Sequence, residues 1–322
     1  MSKQTSRLQD AKGKTLLRTC LGLKKGNSVL IAFDKEGEEN SKLVHNSAIS
    51  LGLLPTIFRI TKDDENERPV MELATLMKEN DATVLCLNQR RIVTYGHSDA
   101  RIEAIEIGRK IGFLTQNVDE TPSTRDLNRI HSKSLRLGKL LEKTHKISLF
   151  SGSKHRWRLE FSLDGRKSFP LSSILTRRGD WGAMPDYAEA AIAPIEGTAE
   201  GRIEIDGMIM GYGSLKSNLI LDFKDGKIVS FSGKEYSKQL NDILHSKDES
   251  VKIMCELGLG ANHLRTKIRG EFDDKKMLGS AHIALGDNHT IGGRNVSNLH
   301  VDFLVRKPRI RFDGKDRNLY RV

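Results

Sequence analysis

Strand and helix signals alternate along roughly the first 140 positions of this 322-residue chain, and after about residue 146 the alternation stops. Val29-Leu30-Ile31-Ala32-Phe33 is a continuous apolar run, the mark of a strand covered on both faces. A helical stretch follows at 40–51, then a strand at 56–60, a helix at 72–78, a strand at 83–87 and a helix at 99–111. Further helices are expected at 8–25 and 124–143. This order predicts a parallel sheet with helices on its faces. In the second half, Asp164-Gly165, Asp206-Gly207, Asp225-Gly226 and Asp313-Gly314 each sit between alternating or apolar runs. Both central residues of a type I′ turn take positive φ, which Asp-Gly accommodates, so each pair is a hairpin signal. The expected fold is therefore an α/β N-terminal domain over 1–147 with a parallel sheet and flanking helices. A mostly antiparallel, β-rich α+β domain over 148–322 follows, with one helix near 237–245.

Charge and composition narrow the function classes. The 53 Lys and Arg exceed the 42 Asp and Glu to give a net charge of +11, which raises the question of nucleic acid. The basic residues form no single run and aromatics are only 6%, too few for a base-stacking platform, so no nucleic-acid partner is expected. No apolar stretch approaches the roughly 18 residues of a membrane span, and no membrane role is expected. The polar start, Met1 to Arg7, lacks the apolar core of a signal peptide, and a cytoplasmic location is the expectation. Cys20, Cys86 and Cys255 are widely spaced in apolar contexts, as buried thiols are. Val29–Phe33 leads into an acidic turn, Asp34 to Glu39, which would repel a phosphate, and no nucleotide site is expected. No serine lies in the strand–Gly-x-Ser-x-Gly–helix context of a nucleophile elbow.

The chemistry concentrates between Cys255 and Asp302. In 299–305 the apolar residues Leu299, Val301, Phe303 and Val305 share one face of a strand, which places His300 and Asp302 together on the other. Residues i and i+2 of a strand project in parallel, so His-x-Asp forms a two-pronged clamp for a metal ion. In 251–257 the residues Val251, Ile253, Cys255 and Leu257 share a face, and Glu256 points the opposite way. His282 opens the apolar run Ile283-Ala284-Leu285. Two His and two carboxylates suit Zn, Mn, Fe or Co. The same residues also suit a set of hydrogen-bonded polar groups that pin strand register.

These residues carry a resemblance. Cys255 to Asn262, Asp274-Lys275-Lys276, His282 to Gly286, Gly292-Gly293 and His300-Val301-Asp302 resemble the thermophilic leucyl aminopeptidase family, that of aminopeptidases T and S. Pro185 to Ala190, with Pro194 and Glu196 to Gly201, resembles the family's Pro-x-Gly-Glu-Val stretch. The resemblance implies a hydrolase that activates water at a His and carboxylate centre to cleave small peptides or amino-acid amides, and it implies a homodimer. It assigns Glu189, Glu256, His282, His300 and Asp302 as ligands of one or two divalent ions per chain, with Glu256 bridging or acting as base. Three positions depart from the pattern. Lys275 stands where the family carries an acidic ligand, with Asp273 and Asp274 as substitutes, His289 stands where a catalytic Tyr is usual and is the candidate catalytic residue there, to donate a proton or bind metal, and Ala188 replaces a glycine. The same fold family includes ring-cleaving enzymes resembling 2,5-dihydroxypyridine dioxygenase. A mononuclear non-haem Fe(II) oxygenase using His282, His300 and Asp302 is therefore the alternative. A metal-free binding protein on the same fold is the second alternative.

Overall fold

A computed structural model of the chain describes residues 3–64, 68–96 and 98–321. Helix α1 (Lys3–Thr15) passes through a π-helical turn into strand β1 (Ser28–Phe33). Helix α2 (Glu38–Ser50), β2 (Leu54–Arg59), α3 (Met71–Glu79), β3 (Ala82–Cys86), α4 (Gln89–Gly96), α5 (Asp99–Glu106), β4 (Lys110–Leu114) and α6 (Thr124–Glu142) follow. The next strands are β5 (Lys146–Ser151), β6 (Trp157–Ser162), β7 (Ser168–Ser172), β8 (Trp181–Met184), β9 (Ala188–Ile192), β10 (Glu200–Ile205), β11 (Met208–Ile209) and β12 (Gly213–Ser214). The chain ends with β13 (Leu219–Lys224), β14 (Lys227–Ser232), α7 (Ser237–Leu244), β15 (Met254–Gly260), β16 (Ala281–Gly286), β17 (His300–Val305), β18 (Arg309–Phe312) and β19 (Lys315–Asp316).

Two compact units result. One comprises Met1–His131 with Ser172–Tyr187, the other Ser132–Leu171 with Ala188–Val322. A single boundary between 147 and 148 was expected. The chain instead leaves the first unit inside α6, then returns to it for 172–187, where β8 pairs parallel with β4.

The first unit holds a five-stranded parallel sheet in the order β2-β1-β3-β4-β8. The apolar runs at β1 and β3 are buried on both faces, as their lack of alternation requires. Leu30, Leu73, Met77, Leu85, Tyr95 and Phe113 are part of a shared core. The helix expected at 99–111 stops at Glu106. Gly108, at φ +90°, turns the chain, and Lys110–Leu114 becomes β4 beside β3.

The second unit holds two seven-stranded sheets, ordered β14-β13-β10-β6-β5-β18-β19 and β12-β11-β17-β16-β15-β9-β7. Pairing is antiparallel throughout the first and from β12 to β9 in the second. Two of the four Asp-Gly pairs make the expected hairpins. Asp225 (φ 50°) with Gly226 (φ 76°) joins β13 to β14, and Asp313 (φ 48°) with Gly314 (φ 76°) joins β18 to β19. Asp164-Gly165 and Asp206-Gly207 do not, because the strands on either side of each belong to different sheets. Among the described residues, no helix is long and apolar enough to cross a membrane.

Candidate metal centre

The register of four adjacent strands assembles the site. Directly opposed residues of an antiparallel pair project to the same face of the sheet. Glu189 on β9 lies opposite Gly260 on β15, and Gly258 lies opposite His282 on β16. Glu256 lies opposite Ala284, which in turn opposes Asp302 on β17, and Gly286 opposes His300. The five expected ligands therefore share one face, separated by glycine and alanine. On the opposite face Leu257, Leu259, Ile283, Leu285, Val301 and Phe303 are buried, so the apolar half of each alternating pattern anchors the polar half.

Nitrogen and oxygen atoms alternate along the cluster. Nε2 of His282 lies 3.6 Å from Glu189 Oε2 and 3.1 Å from Glu256 Oε1. Nε2 of His300 lies 3.3 Å from Glu256 Oε2 and 3.2 Å from Asp302 Oδ1. Two ligand sets follow, each with its donor atoms within 4.8 Å of one another: Glu189, Glu256 and His282, and Glu256, His300 and Asp302. Glu256 belongs to both. Exposure differs along the cluster: the His300 side chain is 35% exposed, whereas Glu189 and His282 are at 2% and 0%.

Both imidazoles are held in place. Nδ1 of His300 donates to the carbonyl of Asp287 at 2.9 Å, which leaves Nε2 directed at the two carboxylates, the usual arrangement behind a metal-binding histidine. The ring of His282 lies against Gly258, where an added Cβ would sit 2.0 Å from its Cε1. Only glycine leaves that space. This donor set of three carboxylates and two oriented imidazoles fits a divalent transition metal.

Two lysines complete the cluster. The turn Phe272–Lys276 places the ammonium of Lys276 on Glu189 Oε1 and that of Lys275 on Asp302 Oδ2. Each takes the oxygen not directed at an imidazole, so the inward oxygens remain with the ligand sets. Asp274 Oδ2 fixes the turn by accepting from the backbone N–H groups of Arg269, Gly270 and Glu271 at 2.7, 2.6 and 3.0 Å. Gly260 permits its approach, since a Cβ there would meet the Met277 carbonyl oxygen at 2.0 Å.

These neighbours set the charge states. Burial alone would raise the carboxyl of Glu256, but His282 and His300 outweigh it and hold Glu256 well below the carboxylate range. Burial is likewise outweighed at Asp302, by Lys275 and His300, and at Glu189, by Lys276, Lys275 and His282. For Lys275 the carboxylates of Asp302, Glu189 and Glu256 more than offset burial and raise it above the ordinary lysine value. Burial dominates at Lys276, with Glu189 opposing it, and brings it down to about 8. Unit charges about 4 Å apart interact by about 4 kcal/mol at an effective dielectric constant of about 20, so these contacts are strong enough to hold the carboxylates ionised.

Other residues are placed differently from the sequence expectation. His289 is exposed, on a 3-10 turn after β16, and belongs to neither ligand set. Asp273 and Asp274 are in neither set: Asp274 is taken up by the turn, and Asp273 lies 3.5 Å from Arg265. Cys255 does not face away from Glu256. A bulge between Met254 and Glu256 brings its Sγ to 3.8 Å from Nδ1 of His300. Burial pushes that thiol up to about 11, so it is a neutral neighbour rather than a nucleophile. His282 does not join His300 and Asp302 in one set, as a two-His, one-carboxylate triad requires. The sequence reading missed Lys276. Its signal was the pair Lys275-Lys276 directly after Asp273-Asp274, since side chains at neighbouring positions of a turn reach different partners.

Solved structures share the fold. 2,5-Dihydroxypyridine dioxygenase from Pseudomonas putida KT2440 superposes with a TM-score of 0.73 at 16% identity, covering 97% of this chain and 95% of that one. AmpT from Thermus thermophilus gives 0.66 at 16% identity, covering 97% of each chain. No curated protein sequence matches. The family model for thermophilic metalloproteases (M29) matches residues 114–321, about two thirds of the chain and all five of the clustered His and carboxylate residues. The chain belongs to the thermophilic metalloprotease family M29.

Proposed function

We propose that this protein is a metal-dependent, aminopeptidase-like hydrolase of small peptides or amino-acid amides, with Glu189, Glu256, His282, His300 and Asp302 as its metal ligands. The observation that carries the reading is the placement of Glu256, with one oxygen toward His282 and the other toward His300. A bound divalent ion lowers the pKa of a coordinated water and polarises a peptide carbonyl. The protein's own part is to present ionised donors and limit solvent. Glu256, placed between the two imidazoles and shared by both ligand sets, is positioned to bridge them or to act as base on a bound water. Lys275, on the outer oxygen of Asp302, orients the inner one toward His300. The partial exposure of His300 makes the Glu256, His300 and Asp302 set the end that substrate and water reach.

An Fe(II) oxygenase is the weaker reading, because His282 groups with carboxylates and not with His300 and Asp302. The test is His300→Ala, assayed for metal content and for hydrolysis of aminoacyl amides and dipeptides. Both should fall to background. Unchanged metal content with unchanged hydrolysis would remove the reading.

A further inference from the structure

We propose that the buried ammonium groups of Lys275 and Lys276 restrict this centre to a single divalent cation at a time, held by Glu256 together with the other members of one of the two ligand sets. The inference rests on the metal-dependent reading above and specifies how many ions the site takes. Three carboxylates face the cluster. Lys276 pairs with Glu189 and Lys275 with Asp302, which leaves Glu256 as the one carboxylate without an ammonium against it. With both imidazoles neutral, as ligation requires, three negative charges stand against two positive ones and the cluster carries a net charge of −1. One divalent ion brings the centre to +1. A second would bring it to +3 among buried side chains, where unbalanced charge is strongly disfavoured.

The lysine charges are built into the fold. Both lie on the turn that Asp274 fixes through three backbone N–H groups, and the turn is tied to the end of β15 by Asn262 N–H to the Lys276 carbonyl at 2.8 Å and by Leu278 N–H to the Asn262 carbonyl at 2.8 Å. The ring of Phe272, with its centroid 5.2 Å from the Lys275 ammonium, adds a further favourable contact for a cation. The Lys275 ammonium is held against Asp302, a member of the ligand set that contains His300. It therefore acts as a tethered cation in place of a second metal ion.

The experiment is calorimetric titration of the chelator-stripped chain with Co²⁺ or Zn²⁺, with the bound ion counted by elemental analysis after desalting. The wild type should take up one ion per chain. Lys275→Glu, which replaces the positive charge by a negative one, should take up two. Lys275→Met, neutral and similar in length, should take a second ion at least tenfold more tightly than the wild type, and it decides the matter if the Glu variant does not fold. Two tightly bound ions in the wild type would overturn this proposal and leave the metal-dependent reading in place. No bound ion would overturn both. One ion in the wild type and no gain in either folded variant would overturn the role given to Lys275.

Discussion

Glu189 and Lys276 are both buried and face one another across the end of the cluster. Removing one member of such a pair strands the other, at a cost on the order of 3–5 kcal/mol. Lys276→Met should therefore destabilise the metal-free chain by about that much in urea unfolding, and by less in the metal-loaded chain, where an ion compensates Glu189. Gly258→Ala puts a methyl group into the His282 ring. It should weaken metal binding and cost roughly 1–3 kcal/mol of stability, the usual penalty for forcing volume into a packed region. At His300 burial lowers the imidazole's pKa, but Asp302, Cys255 and Glu256 raise it well above the ordinary value overall. Metal must then displace a proton below that raised pKa, so affinity should fall as pH is lowered, by about tenfold per unit for one displaced proton. Calorimetry in buffers of different ionisation enthalpy reads that proton directly; uptake without proton release would contradict it.

Among the elements, β17 was the most legible. Its apolar residues recur with a period of two, which by itself separates Val301 and Phe303 from His300 and Asp302. The β15 bulge was not legible, because it arises from how β15 pairs with β16 and leaves no mark in the alternation of either strand. The Asp-Gly turns show the same limit: local backbone preference was right at 225–226 and 313–314. At 164–165 and 206–207 the partner strand, which sequence does not name, decided otherwise. The turn that carries the lysines is a further case, since Asp274 reads in sequence as a substitute ligand and in the structure accepts from three backbone N–H groups. Asp274→Ala should cost on the order of 1 kcal/mol or more by leaving three part-buried backbone donors without their acceptor, and should loosen the hold of Lys275 on Asp302. A wild-type urea midpoint in this variant would contradict the role.

For the whole molecule, the change from parallel to antiparallel structure was visible in the sequence, but the route of the chain was not. Residues 172–187 return to the first unit because β8 finds an edge beside β4, a long-range choice with no local signature. All five proposed ligands lie in the second unit, on strands of one sheet. Chelation should therefore lower the thermal midpoint of the transition that melts this unit, since a ligand that binds only the folded form stabilises it by about 4 kcal/mol at a thousand times its dissociation constant. The decisive measurement is release of the N-terminal residue from a panel of aminoacyl amides and dipeptides by chain stripped of metal and then reloaded with Zn²⁺, Mn²⁺ or Co²⁺. Hydrolysis should be absent in the stripped chain, return on reloading, and fail to return in Glu256→Gln. Hydrolysis that survives stripping, or that Glu256→Gln restores in full on reloading, would contradict a metal-dependent hydrolase centred on Glu256.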